Sequence, residues 1–316
     1  MRERISQIDY LKGIFILLMV TFHLAPIYEN YPVLLAAVYT FHMAAFLIIS
    51  GYLANIEKDI PTFFRGMQRL VVPYIVFETI HILLVYLLGN TMNSNSHVEN
   101  LSLLGVLDNI LENPSNPYWY LHTLIISTII YYIVYKILKL KSMTAFILTG
   151  LILYGLTLFI TRLHWVNVIC FLIGVWISRS GRSFIGAIPA SPLAILPLCI
   201  LFSDRGNYHT GTFAGITITI LIISFLLFAY NYVGNGTRRL LHYLGSNSLA
   251  ILVFSPIFTV ITKLAIPYFK FDPTAICFGL FGLTFVVISC LFCAWLSDRL
   301  HLSKYLFVKN KFYVKY

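Results

Sequence analysis

The 316-residue chain is 59% hydrophobic and only 11% charged, where an ordinary soluble domain carries roughly a quarter charged residues. Water is therefore excluded as its main solvent. Apolar blocks fill nearly the whole length, most of them near or above the roughly 18 to 20 residues that a helix needs to cross bilayer hydrocarbon. They predict an all-α, polytopic membrane protein, a single domain over residues 1–316 with no room for a separate soluble one.

In chain order the predicted spans fall near 8–28, 33–53, 72–89, 118–138, 143–160, 164–178, 192–204, 208–230, 247–266 and 273–297. An even number of spans puts both termini on one side. With the termini inside, the inner segments hold 17 Lys and Arg, the outer ones hold Arg162, Arg205, Lys263 and Lys270, and Lys12 lies within the first span, which accounts for all 22. The longest outer loop, 90–117, has acidic residues such as Glu99 and no Lys or Arg. This asymmetry follows the positive-inside rule, so both termini are expected in the cytoplasm. The net charge of +10 then reports orientation, and no nucleic-acid partner is predicted.

Several segments have a character of their own. Residues 61–71 are amphipathic and basic, which predicts a helix lying on the inner face before the third span. Pro192 and Pro197 interrupt a short seventh span, which is expected to be kinked or partly inserted. The polar run 93–96 stands out in the first outer loop. The tail 299–316, rich in Lys, Tyr and Phe, reads as an interfacial anchor on an anionic inner leaflet. All five cysteines fall within spans and read as small core hydrophobes. Cys290 and Cys293 have metal-like spacing but lack a second ligand pair, so no metal is predicted.

Ionisable side chains inside hydrocarbon cost about 2.5 kcal/mol or more each, so each asks for a reason. Here they are Asp9, Lys12 and His23 in the first span, His42 in the second, Glu78 and His81 in the third, and His122 at the outer end of the fourth. Eleven residues at about 100° and 1.5 Å each return Lys12 and His23 to nearly one helical face, roughly 16 Å apart. Glu78 and His81, three apart, can touch, and a carboxylate that fixes one imidazole nitrogen makes the other a better base. Trp119, Tyr120, His122, Arg162, His164, Trp165 and His209 gather at outer ends. Such a ring suits sugar binding, and for its Trp and Tyr residues equally the aromatic belt of any bilayer interface.

The string IDYLKGIFILLMVTFH, then FHMAAFLIISGYL and RGMQRLVVPY, resembles the acyltransferase-3 family of bacterial inner-membrane proteins. In that family a basic residue, ten residues of any kind and a histidine occupy the first span, here Lys12 and His23. A Ser-Gly-aromatic element closes the second, here Ser50, Gly51 and Tyr52, and an arginine precedes a Pro-aromatic pair, here Arg69 before Pro73 and Tyr74. NPYWYLHTL from Asn116 and LGSNSLAI from Leu244 are similar more loosely. Three positions depart from the pattern: Arg65 and Arg69 are four apart where three is common, Leu252 and Ser255 stand where relatives place Tyr and His, and Ala44 replaces a proline.

The resemblance implies transfer of an acyl group, most often acetyl from acetyl-CoA, to a hydroxyl of a surface polysaccharide or its lipid-linked glycan precursor at the outer face of the bacterial inner membrane. On that reading His23 is the general base; Glu78, from its spacing to His81, is a candidate catalytic partner or else part of a polar patch that holds helices together. Lys12, Arg65, Arg69 and Ser50 bind the acyl-CoA, whose pantetheine arm runs outward from the inner face, and His122, Trp119 and Arg162 bind the acceptor. Another class, a glycolipid or small-molecule transporter or flippase, also tolerates intramembrane charge and broken helices, although no inverted repeat is visible. A polysaccharide polymerase would call for a larger and more basic outer loop than 90–117.

Overall fold

A computed structural model describes residues 5–88, 102–115, 118–140 and 142–315. Arg2, Arg4, the run 93–96, Glu99, Asn116 and Lys141 lie outside the described residues. Among the described residues the chain is helical without strands. It runs through α1 (Ser6–Thr21), α2 (Ala25–Asn30), α3 (Pro32–Leu53), α4 (Ile60–Leu88), α5 (Leu103–Leu111) and α6 (Trp119–Tyr132), which ends in a π-turn, Ile133–Ile137. Then come α7 (Ser142–Thr157), α8 (Trp165–Arg179), α9 (Phe184–Ala187), α10 (Ile195–Ser203), α11 (Phe213–Ala229) and α12 (Asn235–Ser246). The chain closes with α13 (Ser248–Thr262), α14 (Ile276–Arg299) and α15 (Ser303–Leu306).

Five of these helices are long and apolar enough to cross a membrane by length and composition: Pro32–Leu53, Ile60–Leu87, Trp119–Ile137, Ser248–Phe269 and Ile276–Arg299. Four shorter apolar helices, Met143–Thr157, Trp165–Arg179, Pro192–Ser203 and Phe213–Ala229, accompany them. Large apolar side chains stay exposed along α7, α10 and α14, among them Leu151, Ile200, Leu280 and Ile288. Water does not stabilise such a surface, and lipid does. The chain is a membrane protein.

Two predicted elements change shape. The first span does not run unbroken over 8–28. Pro26 has no N–H to give the ladder and its ring clashes with the carbonyl four residues back, so it begins a new helix at N1 or N2 of α2. His23 consequently sits in the turn between α1 and α2, where its amide donates to the Val20 carbonyl at 3.1 Å. Conversely, the helix expected to lie on the inner face and the third span are one 29-residue helix, α4, with Pro73 inside it. Proline's fixed φ is compatible with a helix, and the one ladder bond it forgoes is that to the Arg69 carbonyl. At about 43 Å, α4 is longer than the roughly 30 Å hydrocarbon core, and Arg65 and Arg69 lie in its first three turns. The seventh span keeps its expected shortness, a 3₁₀ turn at Pro192–Ala194 before nine helical residues.

Backbone crowding sets where the helices meet. A Cβ on Gly51 of α3 would collide with the Phe171 carbonyl of α8, and one on Gly174 of α8 with the Ile48 carbonyl of α3. The same reciprocal fit joins Gly13 of α1 to Leu241 of α12 and Gly245 of α12 to Asp9 of α1. Small residues that let backbones touch hold membrane helices together through dispersion, where lipid supplies no hydrophobic drive. The two crossings fix α1 and α3, which carry Lys12 and Ser50 of the predicted site, and the turn after α1 that carries His23. Around them one cluster of buried apolar residues runs from Ile8 to Phe307.

The tail, expected to anchor on the leaflet, is held by hydrogen bonds to the helices. The Asp298 carboxylate accepts the amides of Phe312 at 2.8 Å and Tyr313 at 3.0 Å, while Asn247 bonds both the amide and the carbonyl of Val314, each at 3.0 Å. Phe307, fully buried, stacks on Phe312 at 3.7 Å. Tyr305 stays strongly exposed, as do Leu300 and Leu302 at the start of the tail.

Candidate functional site

The ends of the bundle differ. The basic end carries the start of α1, the loop after α3, the start of α4 and the end of α8. There Arg179 donates from Nη1 to Glu57 Oε1 at 2.9 Å and from Nε to the Tyr131 hydroxyl at 2.7 Å, and its guanidinium lies 4.1 Å over the Tyr135 ring. The Arg179 hydrogen bond holds the Glu57 carboxyl below the usual carboxylate range. At the far end, Thr210 donates to the Tyr39 carbonyl at 3.0 Å and Tyr31 to the Thr274 carbonyl at 2.9 Å.

Between the ends lie two cavities. The one toward the basic end, about 280 Å³, is lined by Lys12, Met43, Ser50, Leu70, Tyr120 and Leu252 together with further apolar side chains. Lys12 Nζ is 3.3 Å from Asp9 Oδ1, one turn back on α1, and is the charged group among the described residues of the lining. Ser50 Oγ shares a 2.7 Å hydrogen bond with the Tyr120 hydroxyl. The second cavity, about 450 Å³, holds His23, Tyr39, His42, Trp119, Asn167 and Thr210. Met43 lines both cavities, so a flexible, polarisable side chain forms their common wall.

Both histidines of the second cavity are fixed alike. His23 Nδ1 lies 2.6 Å from the Met19 carbonyl and His42 Nδ1 lies 2.8 Å from the Val38 carbonyl, each four residues back. A carbonyl only accepts, so each Nδ1 carries the hydrogen and each Nε2 is left as an acceptor in the neutral ring. The Tyr39 ring flanks both, with centroids 6.0 Å from His23 and 5.1 Å from His42. An imidazole held by a backbone carbonyl, with a bare Nε2 facing a cavity, can take a proton from a hydroxyl placed there.

The structure thus brings Lys12 and Ser50 to one cavity and His23 and Trp119 to the other, joined at Met43. Glu78 is elsewhere. It is fully buried, its Oε1 accepts the Ser115 amide at 2.7 Å, and its Oε2 has no hydrogen-bond partner. Its neighbour His81 faces the Tyr118 ring at 5.8 Å with Nδ1 unpartnered. His122 is buried beside α5, with Nε2 2.9 Å from the Leu111 carbonyl, and Arg162 lies in the loop before α8, its amide donating to the Glu112 carbonyl at 3.3 Å. Neither is among the described residues that line a cavity with His23. Arg65 is exposed on α4, and Arg69, one turn on, is half-buried with Nε unpartnered. Lys309 of the tail lies near Arg69, and burial, followed by that guanidinium, holds its amine below the ordinary range.

Asn167, Thr210 and Tyr39 belong to the far cavity without having been singled out from sequence. His42 is visible in the sequence as an intramembrane histidine of the second span.

The site of this helical membrane protein is thus a pair of chambers, with a cation in one, an imidazole in the next and one side chain shared between their linings. The acyltransferase-3 family model, described as an acyltransferase domain, matches residues 5–295. The chain belongs to that family and is a membrane acyltransferase. No curated protein and no solved structure matches it.

Proposed function

We propose that this chain moves an acyl group, acetyl by preference, from acetyl-CoA at the basic end to a hydroxyl of a surface polysaccharide or its lipid-linked precursor at the far end, in the inner membrane of a bacterium. The observation that carries this reading is the pair of cavities that share Met43, with Lys12 in one and His23 in the other.

The residues of the basic end suit the donor. Lys12 offers a compact ammonium and Arg69 a guanidinium fork to phosphate oxygens, Arg65 adds attraction from the surface, and the apolar wall around Ser50 suits a slender pantetheine arm. In the far cavity His23 Nε2 takes the proton of the acceptor hydroxyl as that oxygen bonds to the thioester carbon. The carbon–sulfur bond breaks, and His23 returns the proton to the departing thiolate. The products are the acyl ester and free CoA, with no oxidant or reductant required. Trp119 offers a ring face to the acceptor. Glu78 acts from a distance on this reading: by holding the Ser115 amide it anchors the segment that leads into Trp119. His122 and Arg162 serve the approach to the cavity.

Membrane vesicles supplied with labelled acetyl-CoA are expected to label glycan, and His23→Ala to abolish the label at unchanged expression. Full labelling by that variant removes His23 from the mechanism. Movement of unmodified glycolipid with no acyl donor present would instead identify a flippase.

A further inference from the structure

His42 has no part in the chemistry just described, yet its surroundings do not explain it as a structural residue. Its Nδ1 bonds a carbonyl of its own helix, so that bond ties α3 to nothing else. Its Nε2 is buried without a hydrogen-bond partner, on a side chain 2% exposed. An unsatisfied buried polar atom is destabilising, and a phenylalanine of similar shape would avoid it. The atom that costs stability belongs to a ring that lines the His23 cavity.

The chemistry of that cavity narrows what can satisfy it. Two imidazoles whose Nε2 atoms are left as acceptors lie close to the Tyr39 ring, with centroids 6.0 and 5.1 Å from it. Asn167 and Thr210 supply neutral donors and acceptors, and Trp119 an aromatic face. Among the described residues, no Asp, Glu, Lys or Arg lines it. A carboxylate or phosphate brought here would find no counter-charge in a place where water is scarce. A neutral ring with neighbouring hydroxyls finds two acceptors and a stacking surface.

We propose that His42 is an acceptor-binding residue: its Nε2 accepts a hydrogen bond from a second hydroxyl of an uncharged sugar, which turns the first hydroxyl toward His23. The assignment rests on the acyl-transfer reading and names the class of its acceptor, a neutral monosaccharide unit bearing two hydroxyls near one another. His42 is thereby a determinant of which hydroxyl is modified.

The test uses cells that lack the gene, complemented with the full chain or its variants, with mass spectrometry of the surface glycan and CoA affinity measured on the purified protein. His42→Phe is expected to lower acyl content by roughly tenfold, the loss of about one hydrogen bond to a buried acceptor. His42→Gln, whose amide oxygen reaches the region of Nε2, is expected to recover most of it. Both variants should bind CoA as the parent does, and the acylated unit should be an uncharged sugar. Equal acylation by the parent and His42→Phe overturns this assignment alone. So does an acyl group found on an acidic sugar, or a loss of CoA binding in both variants, which marks a structural role. No acyl difference between the parent and the gene-deleted cells overturns acyl transfer, and this inference with it.

Discussion

The two ends of the bundle solve opposite problems. At the basic end, charged groups sit where the helices emerge, and they are tied into networks: Arg179 with Glu57, Tyr131 and Tyr135, and Asp298 with the tail amides. At the far end the joints between segments, Thr210 to Tyr39, Tyr31 to Thr274 and Asn30 to the Pro273 carbonyl, are neutral, the Asp272 carboxylate serves the local amides of Cys277 and Phe278, and the described lining of the cavity carries no formal charge. Cations are favourable where phosphates arrive from water and costly where they do not. On the proposed reading, the difference between the ends matches that between an anionic donor and a neutral acceptor.

The comparison collapses most completely if the crossing that aligns the two cavities is jammed. Gly174→Leu drives a side chain into the Ile48 backbone, which cannot retreat without moving α3, and is expected to destabilise by more than about 3 kcal/mol. The measurable outcome is loss of monodisperse protein in detergent. Gly150→Ala on α7 is the control: its nearest neighbour is the tip of Leu172 at 3.7 Å, so its thermal midpoint should stay within experimental scatter. Equal behaviour of the two would remove the crossing from its place in the argument.

Next in size is the donor chamber. Lys12→Met keeps the length and apolar stem of the side chain and deletes its charge. Loss of a charge-assisted contact, about 1.5–3 kcal/mol, predicts a rise of roughly ten- to a hundredfold in KM for acetyl-CoA with kcat little altered. The dependence of KM on ionic strength should weaken as well. A fall in kcat at constant KM would place Lys12 with the acceptor instead and erase the contrast between the chambers.

Much of this contrast was legible from residues alone, and the exceptions share a cause. Charge asymmetry and hydropathy located the helices, but the Lys12 to His23 spacing assumed one unbroken helix, and His23 lies in the turn after α1. Pro26 was available as a breaker, but a hydropathy window counts proline among tolerated residues and passes over it. Glu78 and His81 have the spacing of a pair, yet Glu78 turns to the amide of Ser115, and a backbone N–H carries no signature in sequence. Asp298 and Asn247 are the same case, since their partners are main-chain groups of the tail. His42 was visible as an anomaly, but its role depends on which way α3 is rotated, and the Gly51–Gly174 contact decides that.

The smallest effects test how the basic end is tied together. Asp298→Ala leaves the Phe312 and Tyr313 amides without their acceptor, which predicts a loss of about 1–2 kcal/mol, read as earlier proteolytic trimming of the tail with activity otherwise preserved. Glu57 contributes less, because its carboxylate is largely exposed, and a pair of that kind is worth at most about 1 kcal/mol. Its direction is nonetheless definite. Arg179 lowers the folded carboxyl's pKa, so the contribution is fully present above the ordinary carboxylate value, about 4.3, and is lost as pH falls through the lower folded value. The parent should therefore be slightly more stable than Glu57→Gln at pH 7, with the gap constant across neutral pH and closing only in acid. A gap that opened instead between pH 6 and 8 would point to a histidine at this end, and would blur the division between a charged donor face and a neutral acceptor face.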